Sequence, residues 1–414
     1  MNKLPAGWEI KKLKDICTIQ DGIHKTPKYT SKGIKFVSVE NINDLYNSNK
    51  FISEEDYNKM YKIKAKKNDI FMTRIGDIGT PAILNKDEKL AYYVTLCLFT
   101  NIDEEVFNKY LYYAIQSNYF KKELYYRTLH VAFPKKINLG DIGDCKFILP
   151  PLDEQKRIAS ALSKIDAYLE NTIKLIEEKE RFKRGIAKKL LTCKEGENIP
   201  EARFKGFEDE WKEYNLSKIG VSYNGLRNKK ANSFVENCNA KYITYKSVYD
   251  KNKIDINRLG NVFIGKNENQ NLVKYGDIFF TISSETPDEV AISSVLLDEV
   301  ENTYLNSFCF GFRFDFNILL PEFARYHFHS NYIRKSTYRL AQGITRYNIS
   351  KKKFLDIIIY LPSLEEQEKI GGYLSLLDAE IDNLKKQKEL IKEMKRGAMQ
   401  KLLSGEVRLV DNYD

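Results

Sequence analysis

Chemistry would begin with the histidines, of which there are four, and His327 and His329 are the close pair. Two residues apart on a helix they would stand about 200° apart around the axis, which does not suit a shared metal ion. Asp87-Glu88-Lys89 has the (D/E)xK form that metal-dependent nucleases use, but a chain that is 30% charged produces such triplets by chance, and no convincing upstream acidic partner stands out for this one. The GxxxxGK(S/T) phosphate loop is absent and "RIGDIG", from Arg74, is not GxGxxG, so nucleotide hydrolysis is not expected. Base methylation would need an aromatic-capped NPP or DPP tetrapeptide or a PC dipeptide, and neither occurs. Six scattered cysteines without a CxxC pair fit isolated thiols in a reducing compartment and make a zinc site improbable. The chain is expected to be non-catalytic, with no cofactor of its own.

The elements that would position any other function are written twice. "GWEIKKLKDI" near Trp8 returns as "EWKEYNLSKI" near Trp211, "NDIFMTRIG" near Asp69 as "GDIFFTISS" near Asp277, and "LPPLDEQKRI" from Leu149 as "LPSLEEQEKI" from Leu361, with offsets of 203, 208 and 212. The order holds while the offset drifts, as in a duplicated unit whose loops have changed length. Each copy predicts strands, a helical stretch, a last strand and then one long helix, an α+β head on a helical stalk. The expected divisions are a first head over 1–150, a helix over 151–193, the linker "LLTCKEGENIP" and second head over 194–361, and a helix with tail over 362–414.

Both helices carry a narrow apolar seam. In the second it runs Ile370, Leu374, Leu377, Ile381, Leu384, Ile391, Met394, Ala398, Leu402; in the first it runs Ile158, Leu162, Ile165, Leu169, Ile176, then Phe182, Ile186, Leu190. The early steps alternate four and three, the seam of a coiled coil, although Lys388 interrupts the second and Phe182, Ile186 and Leu190 continue the first only after a shift. Two such stripes in one chain predict that the helices pair antiparallel and close a pseudo-symmetric ring. Lys183-Arg184-Gly185 and Lys395-Arg396-Gly397 also recur at offset 212, and a mid-helix glycine, about 1 kcal/mol worse than alanine, predicts close helix crossing there.

Net charge is +10, from 67 Lys and Arg against 57 Asp and Glu, which suits a polyanionic partner. Neither a signal-type apolar core in "MNKLPAGWEI" nor a membrane-length apolar run elsewhere is present, so a cytoplasmic location is expected.

At these motifs the chain resembles the specificity subunit of type I restriction-modification enzymes over nearly its whole length. "LPAGWEIKKLKDI" is similar to the family's start, "NDIFMTRIGDIGTPAIL" and "GDIFFTISSETPDEVAISS" to blocks of its target recognition domains, "RFKGFEDEW" to the opening of its second half, "GITRYNIS" to the segment before the last strand, and the two LPxL(D/E)EQ blocks to the starts of its conserved helices. The resemblance implies two recognition domains, each reading half of a split, non-palindromic site in double-stranded DNA, with the helices as a ruler. It implies two methyltransferase (modification) subunits as partners, with or without restriction subunits, and those other subunits would hold S-adenosylmethionine and ATP. A stand-alone two-headed coiled-coil scaffold and a DNA-binding repressor are the competing readings.

On that reading the basic and polar residues at strand ends and turns become candidate DNA contacts. In the first head they are His24, Lys25, Lys28, Tyr29, Thr73, Arg74, Lys135 and Lys136. In the second they are Asn224, Arg227, Lys229, Lys230, Lys246, Ser283, Ser284, Gln342, Thr345, Arg346, Tyr347 and Asn348. Arg74 and Gly76 could equally build a tight turn, and any of the lysines could be plain solvated surface. Glu154, Gln155, Glu366 and Gln367 recur at both helix starts. The acids suit the positive helix end; the glutamines do not need it, and the resemblance implies that these four help dock the methyltransferase subunits.

Overall fold

The computed structural model describes residues 4–194, 197–236 and 238–409; Glu195 and Gly196 of the expected linker and the tail from Val410 lie outside the described residues. The chain divides into two compact units, one built from residues up to Ile173 with those from Lys386 onward, the other from Lys174–Lys385. Each unit is a head with part of both long helices.

In the first unit the strand that opens the head, Glu9–Lys12, pairs antiparallel with the strand that closes it, Lys146–Leu149. A four-stranded sheet has the order Thr18–Asp21, Leu96–Thr100, Ile70–Thr73, Pro81–Ile83; a three-stranded sheet has the order Phe51–Ile52, Ile34–Val37, Leu90–Tyr92, the last two parallel. The second unit repeats this plan. Lys212–Asn215 pairs with Ile358–Leu361; the larger sheet runs Gly220–Asn224, Cys309–Phe314, Ile278–Thr281, Ser293–Val295; the smaller runs Gly260–Val262, Ala240–Ile243, Thr303–Leu305, again with the last two parallel. A short ladder of Ser283–Ser284 with Tyr347–Asn348 is added in the second head. The fold is the α+β pair of heads that the duplication predicts.

The recurrent (N/G)DIF block shows how sequence sets a turn. Asn68 and Gly276 have φ of 74° and 82°, a left-handed region open to Gly and, at some cost, Asn. The following aspartates close the turn, Asp69 Oδ2 accepting from the Lys66 amide (3.0 Å) and Asp277 Oδ2 from the Lys274 amide (2.8 Å). The strands they start, Ile70–Thr73 and Ile278–Thr281, are buried along their whole length, which explains their unbroken apolar runs. The first core joins Ile70, Met72, Phe99, Phe120 and Phe147 to Ile158 and Leu162 of the first long helix. The second joins Ile278, Phe280, Phe310, Phe312 and Phe354 to Ile370 and Leu374 of the second long helix.

Those helices, Leu152–Leu191 and Leu364–Ser404, are 40 and 41 residues long. Within the second unit they run antiparallel, with Lys179 on Glu380 (2.8 Å), Lys385 on Glu180 (2.7 Å) and Lys183 on Asp378. Such partly exposed ion pairs are worth about 0–1 kcal/mol each, so the buried seam, Ile370, Leu374, Leu377 and Ile381, does most of the holding. Two seam assignments fail: Phe182 and Met394, one period apart at offset 212, are each about half exposed. The close crossing expected at Gly185 and Gly397 does not occur either, since a Cβ at each would meet nothing within 4 Å.

Candidate nucleic-acid interface

In each head the chain leaves the first strand of the larger sheet through a glycine. A Cβ on Gly22 would come within 2.2 Å of the Tyr92 carbonyl oxygen, and one on Gly225 within 1.9 Å of that of Asn306. The next residue then bonds the neighbouring strand, the Ile23 amide to Tyr92 O (3.2 Å) and the Leu226 amide to Leu305 O (2.7 Å). This close approach is why "DGIHK" and "NGLRN" share their glycine, and it aims the following basic segment outward.

In the first head three loops meet. The Gly76 amide donates to Lys135 O (2.8 Å), the Leu129 amide to Lys136 O (2.8 Å) and the Ile137 amide to Arg74 O (3.1 Å). Arg74 ties them from inside: Nε donates to Ile137 O (3.2 Å), and Nη1 to Val94 O (3.0 Å) and Asp21 Oδ2 (3.4 Å), while His24 Nε2 is 2.9 Å from the same Asp21 oxygen. Arg74 is thus buried structure and is not placed to touch DNA. Thr73 is likewise spent, its hydroxyl accepting from the Thr80 amide (3.0 Å) and donating to Asp77 (3.3 Å). His24, Lys25, Lys28, Tyr29, Lys135 and Lys136 remain exposed.

In the second head Ser283–Ser284 and Tyr347–Asn348 form the extra ladder, and the 342–348 loop is closed by paired bonds between Gln342 and Asn348 (2.9 and 2.8 Å). Ser283 and Ser284 are buried in it, and the Ser284 hydroxyl donates to Glu289 (2.8 Å), so their side chains are not presented as expected. Lys229 is also internal, its ammonium on Glu268 and on Phe263 O (2.5 Å). Tyr347 is half-buried; Arg227, Lys230, Lys246, Gln342, Thr345, Arg346 and Asn348 are exposed. Lys351, which the sequence reading missed, donates to the half-buried Asn224; burial and the nearby Arg227 lower its ammonium below the ordinary lysine range. The run "SKKKF" was its only sequence signal.

The repeated Glu-Gln pairs turn out to be internal. Gln155 Nε2 donates to Pro150 O (2.8 Å) and Glu105 O (2.9 Å), and its Oε1 accepts from the Phe107 amide (2.8 Å). Gln367 makes the same three bonds, to Pro362 O (3.0 Å), Ile318 O (2.8 Å) and the Leu320 amide (2.9 Å). Glu366 is held by Arg203 (2.9 and 2.6 Å), whose Nη1 also donates to Asp209 O (2.8 Å). Glu154 is held by Arg408 (2.7 and 2.8 Å) and Trp8 Nε1 (2.9 Å), with Arg408 Nη1 on Ala6 O (3.4 Å). Burial would raise the Glu154 carboxyl, but Arg408 and Trp8 outweigh it and hold it below the usual range. All four side chains are buried, so the docking role expected of them gives way to fastening helix to head.

The remaining candidates for chemistry are quiet. His327 is buried against Phe323 and Trp211, with ring centroids at 5.0 and 6.3 Å, and His329 Nε2 lies 2.8 Å from Ser293 O. Burial pushes both imidazoles down to about 4. Among the described residues no three His, Cys, Asp or Glu side chains gather as metal ligands would, and no helix is long and apolar enough to cross a membrane.

The family model "Type I restriction modification DNA specificity domain" matches twice, over residues 5–178 and 208–393. The MjaVIII specificity subunit of the type I restriction enzymes of Methanocaldococcus jannaschii is 30% identical over 279 residues, 64% of this chain and 62% of that one. The MjaX specificity subunit of the same organism is 26% identical over 433 residues, 99% of this chain and 96% of the other. Among solved structures, the S subunit of the type I system of M. genitalium is similar at a TM-score of 0.57 and 17% identity, covering 97% of both chains. A chain from a structural study of type I R-M complex assembly and conformational transition is similar at a TM-score of 0.59 and 15% identity, over 98% of this chain and all of that one. Two matches of one domain model and two heads of one strand order agree, and the chain belongs to the type I restriction-modification specificity subunits, the non-catalytic DNA-recognition components of those enzymes.

Proposed function

We propose that each head reads one half of a split, non-palindromic DNA site, and that the chain seats two methyltransferase subunits, with or without restriction subunits, in the cytoplasm. The observation that carries the first part is the loop edge found in both heads: a glycine-pivoted basic segment beside a loop closed on itself. Lys25, Lys28, Lys135 and Lys136 in one head, and Lys230 and Lys246 in the other, would neutralise phosphates. Arg227, Gln342, Arg346 and Asn348 have the donor and acceptor patterns that read base edges in the major groove. Because the exposed sets differ between heads, so do the half-sites. The long helices are the elements available to fix the unread spacer between them.

For docking, the duplicated surface is the better guide. Phe182 with Arg184 and Gly185, and Met394 with Arg396 and Gly397, are matched at offset 212, stand on the helix surface and have open space over both glycines. A feature kept twice without an internal role suits two copies of one partner, whose helix could approach the bare backbone closely. Single-molecule methylome sequencing of host DNA with and without this gene tests the whole reading. Loss of one split motif of fixed spacer is expected; an unchanged methylome under verified expression of the chain and its methyltransferase would refute it.

A further inference from the structure

Two loops at the same place in the duplicate remain unexplained by a hydrophilic DNA surface. The first, residues 128–136, follows helix Asn118–Arg127; the second, residues 341–348, follows helix Asn331–Leu340. Each is closed at its base, the first by the Leu129 amide on Lys136 O (2.8 Å) and pinned by the Gly76 amide on Lys135 O (2.8 Å), the second by the two Gln342–Asn348 bonds. At the tips stand large apolar side chains in full contact with water: Val131 and Phe133 at 100% and 104% exposure, and Ile344 at 92%. Cations flank them, Lys135 and Lys136 in one loop and Arg339 and Arg346 in or beside the other.

A protein partner would call for a contiguous apolar patch. Here two fully exposed side chains stand on one loop and one on the other, the neighbouring Tyr125, Tyr126 and Leu129 in the first head and Tyr338 in the second being less exposed, and cations flank each tip. That combination fits the phosphate-lined groove of duplex DNA, where an apolar side chain on a stiff loop can enter between neighbouring base pairs and unstack them. We infer that Phe133, with Val131, and Ile344 are wedges that open one base-pair step in each half-site. The inference rests on the reading that each head binds a half-site. It adds that part of the specificity is indirect: each half-site should contain an easily unstacked step, pyrimidine followed by purine, at the wedge.

The test uses the full chain assembled with its methyltransferase subunits and duplexes carrying the methylated motif, with 2-aminopurine placed at successive positions of each half-site. Binding is expected to raise fluorescence at one step per half-site. Val131→Ser with Phe133→Ser should abolish the rise in one half-site only, Ile344→Ser in the other only, each weakening cognate binding about tenfold while sparing salt-dependent binding to unrelated DNA. Phe133→Leu should keep the signal. Full fluorescence and affinity in the serine variants would overturn the inference, as would loss of the methyltransferase from the complex in their place, which would make the tips protein contacts. Wild-type complex that ignores the motif altogether would instead refute the half-site reading on which the wedge depends.

Discussion

Lys395 donates to Asp166 across 2.6 Å in one unit, and its counterpart 212 positions earlier, Lys183, donates to Asp378 in the other. A tyrosine of the head completes each pair: Tyr113 on Asp166 (2.7 Å) and Tyr326 on Asp378 (2.7 Å). One carboxylate therefore ties a head to one long helix and that helix to the other, and the arrangement exists twice. Asp378 carries a further donor, Arg325 Nη2 (2.9 Å), that Asp166 lacks.

Removing the carboxylates should be unequal in effect. Asp378→Ala removes the acceptor shared by Lys183, Tyr326 and Arg325, although Arg325 keeps Asn252 and Glu322, and should cost about 2–3 kcal/mol, against about 1–2 kcal/mol for Asp166→Ala. Urea unfolding of the two variants would check the order; equal losses would mean that Arg325 contributes nothing at this site.

The glutamine clamps make a stronger prediction. Gln367→Glu places a charge where two carbonyl oxygens need donors, so the loss should be at least about 3 kcal/mol, and Gln155→Glu should behave alike. Thermal melts of the isolated subunit would show this without any methyltransferase present. A normal melt with impaired assembly would return these residues to docking.

Acid should weaken the second unit through His327. Its imidazole is neutral in the fold down to about pH 4, whereas in the unfolded chain it takes a proton below pH 6.5. The associated stability is fully present above pH 6.5 and is lost as pH falls towards 4, a cost of about 2 kcal/mol by pH 5. His329, whose imidazole burial likewise pushes down to about 4, adds to the same loss. His327→Leu should flatten the decline in Tm between pH 7 and 5.

At Gly185 and Gly397 stability and assembly should part company. Alanine at either position meets open space on an exposed helix face and should stabilise the subunit by about 0.5–1 kcal/mol. Tryptophan at both should leave the fold intact and block co-purification of the methyltransferase. Undiminished assembly with both tryptophans would remove this surface from the docking reading.

The plan of the molecule was legible because it is encoded redundantly. The Trp8 and Trp211 blocks, the (N/G)DIF turns and the proline-glutamine helix starts each occur twice, so a single reading checked itself. The site was legible only by residue type. Arg74 and Arg346 look equally suited to DNA, yet Arg74 is drawn inward by Asp21 and two carbonyl oxygens that lie 20 to 63 positions away, whereas Arg346 stands exposed in the loop that Gln342 and Asn348 close. Lys229 and Ser284 were misjudged for the same reason, since Glu268 and Glu289 reach them through loop geometry that periodicity does not report. Phe182 and Met394 looked like seam because their spacing fits it; only the packing shows the helices turning them outward.

The division into units has a consequence for synthesis. Everything in the Lys174–Lys385 unit leaves the ribosome before the last segment of the first unit does, and that segment holds Lys395, Leu402, Leu403 and Arg408. The head made first is therefore the one completed last. Until Arg408 emerges, Glu154 has no cation and Ile158 and Leu162 have no second helix to cover them, so the nascent N-terminal head waits part-finished, open to proteases and chaperones. A frameshift near the 3′ end of the gene should consequently disable the head encoded at its 5′ end.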